Sequence, residues 1–91
     1  MEKAKQKSTR RRKAGATEDS LSILGKNVRL LRGMRELTQE DLAELAGMKR
    51  GQLSQLERGH RGIQLRTLDR LAQALEVKAW ELLRPRDDTG R

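Results

Sequence analysis

Residues 37–59 read LTQEDLAELAGMKRGQLSQLERG. Thr38 stands before Gln39-Glu40-Asp41, the pattern of a helix N-cap followed by first-turn acids that complement the positive end of the helix dipole. Thr38 and Asp41 have the spacing of a capping box, with Asp where Glu or Gln is usual. Leu42, Ala43 and Ala46 form the inner face of the short helix that follows. Gly47 ends it in a position suited to positive φ. The next helix is predicted from about Arg50 to Glu57, anchored from beneath by Leu53 and Leu56, with Gly59 as its stop.

Ala43 lets two helices cross closely, and Gly47 permits the tight turn between them. The outer face of the second helix carries Lys49, Arg50, Gly51, Gln52 and Gln55, left for solvent or a ligand. This is the helix-turn-helix arrangement, in which the second helix enters a DNA major groove. Gly51 falls in the first turn of that helix and weakens it by about 1 kcal/mol. Two readings follow: Gly51 removes bulk so that the backbone approaches DNA closely, or the base pair opposite it is not read.

Working outward, Leu21, Leu24, Val28 and Leu31 recur at three- and four-residue spacing. They predict an amphipathic helix from about Ser20 to Arg35, with Gly33 a local weakness. His60-Arg61-Gly62 reads as loop. Leu65, Leu68, Leu71, Ala72 and Leu75 mark a fourth helix. Val77, Trp80 and Leu83 mark a short fifth, closed by Pro85. No strand pattern occurs. The expected fold is all-α: a compact bundle of five short helices containing a helix-turn-helix. Three segments are expected: a basic, disordered arm over 1–17, the domain over 18–84, and a flexible tail over 85–91.

The formal charge is +8, and it is unevenly placed. Residues 1–17 hold seven basic residues against Glu2, a balance of +6; the rest holds 14 basic and 12 acidic, a balance of +2. Such a field favours a polyanionic partner, and the arm suits DNA phosphates or a minor groove. The alternative for the arm is a merely solubilising tail. Trp80 is the only aromatic, which disfavours base stacking on aromatic platforms. Cysteine is absent, so neither a disulfide nor a thiolate metal site is expected, which suits a reducing cytosol. No apolar run is long enough for a transmembrane helix, and the basic N-terminus lacks the apolar core of a secretory signal.

Residues 24–83 resemble the Cro/C1-type (XRE-family) helix-turn-helix domain of phage repressors and small bacterial regulators, a lambda-repressor-like fold. LTQEDLAELAG and LSQLERG are the most specific parts of the match. The resemblance implies base-facing roles for Lys49, Arg50, Gly51 and Gln55, and Gln52 shares their face. Arg50 suits guanine N7 and O6, and Gln55 suits adenine. It implies phosphate contacts for Gln39, Arg58, Arg61 and Arg66, with Gln39 also bracing the recognition helix; Thr38 joins them at the helix end. It implies an ion bridge between Arg32 and Glu57. Glu36 and Glu76 stand where the family often has glycine at helix ends. A left-handed glutamate is costly, so those caps are expected to take another geometry.

Other chemistry finds little support. His60 has no partner for a metal site, and Ser54 has no base partner in sequence. Neither an enzyme nor a cofactor nor a small-molecule ligand is expected. The expected function is a sequence-specific, double-stranded DNA-binding regulator, cytoplasmic and nucleoid-associated, acting as a homodimer on an operator. Val77, Trp80 and Leu83 are either core or a dimer contact. The competing class is a transcription adaptor that uses the same fold for protein contacts; the polar face of Lys49, Arg50 and Gln55 favours DNA.

Overall fold

The computed structural model describes residues 19–86. The elements are α1 (Ser20–Met34), α2 (Gln39–Ala46), α3 (Arg50–Glu57), α4 (Leu65–Leu75) and a C-terminal 3-10 helix (Ala79–Leu83). There is no strand among the described residues. The expected basic arm, residues 1–17, and the tail beyond Arg86 lie outside the described residues. α1 packs on α3 and on the 3-10 helix, and α2 packs on α3 and α4.

The core takes one stripe from each helix. Leu24, Val28 and Leu31 of α1 meet Leu42, Ala43 and Ala46 of α2, Leu53 and Leu56 of α3, Leu68, Leu71, Ala72 and Leu75 of α4, and Leu82. The helical starts depart from the periodic reading. Leu65, the first residue of α4, is 77% exposed, and Leu21 in the first turn of α1 is exposed as well.

The fifth element differs from expectation in kind and in register. A 3-10 helix has three residues per turn, so positions three apart eclipse. Ala79 and Leu82 therefore share the inner face, whereas Trp80 and Leu83 share the outer one and are exposed. Val77 is no part of this helix; it precedes it and packs inward. Asn27, buried on the apolar face of α1, holds the segment in place. Its Nδ2 donates to the carbonyls of Leu82 and Arg84, each at 2.9 Å, and more weakly to that of Glu81.

All four α-helices among the described residues end in the same hydrogen-bond pattern, a Schellman motif. In α1, Leu37 N–H bonds back to Arg32 O and Glu36 N–H to Gly33 O; Met48 and Gly47, His60 and Gly59, and Val77 and Glu76 repeat the pair at α2, α3 and α4. The motif needs a left-handed residue. Gly47 and Gly59 supply it at φ of +71° and +77°, but Glu36 and Glu76 supply it at +56° and +59°. The expectation of another cap geometry at the glutamates is therefore overturned. The hydrogen bonds, and the inward packing of Leu37 and Val77 one residue later, hold the backbone in a region the glutamate side chain disfavours. Arg35 adds a link between the two ends, donating Nε to Leu75 O at 2.6 Å and lying 3.4 Å from the Glu76 carboxylate.

Among the described glycines the tightest backbone approach lies at Gly25, a position the sequence reading passed over in favour of Ala43. A Cβ placed on Gly25 would lie 2.5 Å from Leu56 O and 2.7 Å from Glu57 O. Glycine thus lets α1 rest directly on the C-terminal turn of α3.

Candidate nucleic-acid interface

α3 is eight residues long, too short to be stable by itself, so its orientation comes from what holds it. Beneath, Leu53 and Leu56 are fully buried. At its N-terminus, Lys49 N–H donates to Gln52 Oε1 at 3.1 Å, so the Gln52 amide oxygen closes the helix end and its NH₂ is left for outward chemistry. Lys49, Arg50, Gly51 and Gln55 are exposed. A Cβ on Gly51 would meet nothing within 4 Å. The helix therefore presents a polar face with a notch in its first turn.

At the other end of α3, Glu57 is buried and receives two hydrogen bonds from Arg32 of α1: Nε to Oε2 at 2.6 Å and NH2 to Oε1 at 3.1 Å. The Arg32 guanidinium also donates NH1 to Leu37 O at 2.9 Å. Hydrogen bonding to Glu57 holds the Arg32 guanidinium above its ordinary range, against the opposing effect of burial. A bidentate, charge-assisted pair of this kind fixes direction as well as distance.

The chain of contacts continues outward. Gln39 at the start of α2 donates Nε2 to Glu57 Oε1 at 3.0 Å, and its Oε1 accepts from Arg50 NH1 at 3.2 Å. Arg50 Nε also lies 3.6 Å from the carboxylate of Glu40. One path thus runs from the half-buried Arg32 through the buried Glu57 and Gln39 to an exposed arginine on the outer face of α3. Gln39 keeps a second amide hydrogen for an external acceptor. The position of Glu40 beside Arg50 had no local sequence signal, because the two residues belong to different helices.

The remaining candidates are distributed around this face. Thr38 caps α2: its Oγ1 accepts from Asp41 N–H at 3.0 Å while Asp41 Oδ2 accepts from Thr38 N–H at 3.2 Å. Arg58 follows α3 and is exposed, as are Arg61 in the loop and Arg66 in the first turn of α4. Arg61 NH1 reaches Gln55 Oε1 at 3.4 Å, a long contact. Gln52, Arg61, Gln64 and Thr67 line a shallow cleft of about 340 Å³ between the α2–α3 turn and the start of α4. Trp80 and Leu83 form an exposed apolar pair at the far end of the domain's sequence. Among the described residues no cluster of His, Cys, Asp or Glu could hold a metal ion, and no helix is long and apolar enough to cross a membrane.

Residues 28–79 match the Helix-turn-helix family model HTH_3. An uncharacterized HTH-type transcriptional regulator, y4dJ, of Sinorhizobium fredii is 42% identical over 71 residues, covering 78% of this chain and 92% of the relative. Control protein C.SmaI of Serratia marcescens is 42% identical over 65 residues, covering 71% of this chain and 77% of the relative. Among solved structures, the restriction-modification controller C.AhdI of Aeromonas hydrophila superposes with a TM-score of 0.66 at 39% identity, covering 68% of this chain and 94% of that one.

Proposed function

The chain belongs to the helix-turn-helix (HTH_3) family of transcriptional regulators, and from that membership we propose that it binds a double-stranded DNA operator sequence-specifically, as a homodimer, with α3 in the major groove. The observation that carries the reading is the braced Arg50: an exposed arginine on α3, tied through Gln39 to the buried Glu57 and its partner Arg32. A free surface arginine loses conformational entropy on reaching a base; one already held does so with less loss. Arg50 is the guanine reader, with Lys49, Gln52 and Gln55 beside it. Thr38, Gln39, Arg58, Arg61 and Arg66 contact phosphates and set the register.

A single helix of this length reads few base pairs, so a second copy related by a two-fold axis supplies the second half-site, about 34 Å away. Trp80 and Leu83 are the apolar surface assigned to that contact. The similarity to restriction-modification controllers favours an autoregulatory controller whose occupancy follows its own concentration. The basic arm adds phosphate contacts, and removing residues 1–17 lowers affinity and flattens its salt dependence. The polar composition of the α3 face favours this reading over an adaptor that binds protein.

Selection of bound sequences from a random DNA pool tests the proposal. The expected result is a two-fold symmetric site with half-sites about one turn apart. Replacing Arg50 with alanine should remove about 1–3 kcal/mol of discrimination at one base position per half-site. A pool that yields no enriched site would refute base reading; an enriched site without symmetry would refute the dimer.

A further inference from the structure

We propose that Glu40 is a specificity-determining residue that acts through Arg50, an inference that rests on Arg50 reading a base. The Arg50 guanidinium lies between two acceptors on α2: the Gln39 amide oxygen at 3.2 Å and the Glu40 carboxylate, 3.6 Å from Nε. Gln39 belongs to the internal brace, because its other end is bonded to Glu57. Glu40 has no such tie; its side chain is 72% exposed, that of Arg50 55% exposed. The Glu40 carboxylate is therefore a competitor for Arg50, placed where DNA would approach.

The two kinds of DNA acceptor face that competitor unequally. A phosphate beside a non-cognate sequence offers Arg50 one more anion in exchange for the one it leaves. It also brings its own negative charge towards Glu40. The edge of guanine offers two acceptors in the plane of the guanidinium and no net charge. Glu40 thus discounts phosphate contacts of Arg50 more than base contacts. It lowers non-cognate affinity while leaving the cognate complex largely untouched. Asp41 lies next to it but is engaged in the Thr38 capping box, and Glu44 stands one turn further along α2.

The test measures affinity of the full chain for three duplexes: the selected site, that site with the Arg50-read guanine replaced, and unrelated DNA. Four variants are compared with the unaltered chain: Glu40→Gln, Glu44→Gln, Arg50→Ala, and Glu40→Gln combined with Arg50→Ala. Loss of a negative charge alone tightens all three duplexes equally, and Glu44→Gln provides that baseline. Glu40→Gln is expected to tighten the replaced site and unrelated DNA by roughly twofold to fivefold more than the selected site, the range of an exposed ion pair. In the Arg50→Ala background that excess should vanish. Equal tightening of all duplexes by Glu40→Gln would overturn the proposal alone, as would an excess that persists without Arg50. Unchanged base preference in Arg50→Ala would instead remove the base-reading assignment, and this proposal with it.

Discussion

Three helical glycines make one substitution give opposite signs. Gly25, Gly33 and Gly51 all lie inside α-helices, where Gly→Ala ordinarily stabilises by about 0.5–1 kcal/mol. At Gly33 and Gly51, in the end turns of their helices, a Cβ meets nothing within 4 Å, so a gain of up to that size should appear. At Gly25 the added carbon would stand 2.5 Å from Leu56 O and must reach ordinary contact near 3.4 Å, so α1 and α3 have to part by about 0.9 Å. The obstructing atoms are backbone, which no rotamer change can move aside. Overpacking of this kind costs about 1–3 kcal/mol, and the same opening stretches the Arg32–Glu57 bonds that span the two helices. After subtracting the helix-propensity gain, Gly25→Ala should lose up to about 2 kcal/mol, at roughly 4–8 °C of Tm per kcal/mol for a domain of this size. Thermal unfolding followed by circular dichroism separates the cases: Gly33→Ala and Gly51→Ala rise, Gly25→Ala falls. A rise in Gly25→Ala equal to the other two would refute the close contact of α1 with α3. Operator binding adds a second readout. Gly51→Ala should weaken it only if the notch in α3 admits DNA closely; unchanged binding means the base pair there is not read.

Replacing Arg32 with methionine strands the buried Glu57 carboxylate with Gln39 alone and should cost about 3 kcal/mol in denaturant unfolding, with much of the loss recovered when Glu57→Met is added. Because the Arg32 pKa is raised, its share of stability is complete below its ordinary value and fades only as pH climbs through the raised one; raising the pH to about 10 should leave the cost of Arg32→Met unchanged. Glu36→Gly should stabilise by about 1 kcal/mol by removing left-handed strain, and Glu76→Gly by less, since it also surrenders the exposed Arg35 pair; Tm values of the two variants order them. Asn27→Ala deletes the donor to the Leu82 and Arg84 carbonyls and should cost about 1–3 kcal/mol, with an altered Trp80 fluorescence as the 3-10 helix loosens; an unchanged emission would mean the helix is held by Leu82 packing alone.

The helix-turn-helix was legible because its signals are local. Thr38 and Asp41 cap within one turn, Gly47 and Gly59 stop their helices, and Leu42, Leu53 and Leu56 repeat at helical spacing. What failed to show in the sequence depends on neighbours far along the chain. Gly25 carries no signal of its own in α1 until α3 is laid against it. Glu36 and Glu76 read as poor stops until the Schellman bonds and Arg35 are seen around them. Val77, Trp80 and Leu83 stand three apart, which left core and dimer contact undivided; Val77 in fact precedes the 3-10 helix and packs inward, while Trp80 and Leu83 eclipse on its outer face. Asn27 did carry a signal, a polar residue on the apolar stripe between Leu24 and Val28, and that signal went unused.

These long-range features converge on one element. α3 has eight residues, a glycine in its first turn and no side-chain acceptor on Lys49 to cap it, so local propensity does little to form it. Its direction is set from three sides: by Gly25 at the C-terminal backbone, by Arg32 at Glu57, and by Gln39 between Glu57 and Arg50. The residues that hold the helix are thus chemically continuous with the one that faces outward from it. A change at Arg32, remote from any DNA, should therefore alter base discrimination as well as stability, because Gln39 would be drawn to the stranded Glu57 and lose its hold on Arg50. A pure stability residue such as Leu75 should leave discrimination unchanged in whatever fraction remains folded. Measuring the specificity ratio, rather than affinity alone, in Arg32→Met and Leu75→Ala tells the two kinds of residue apart.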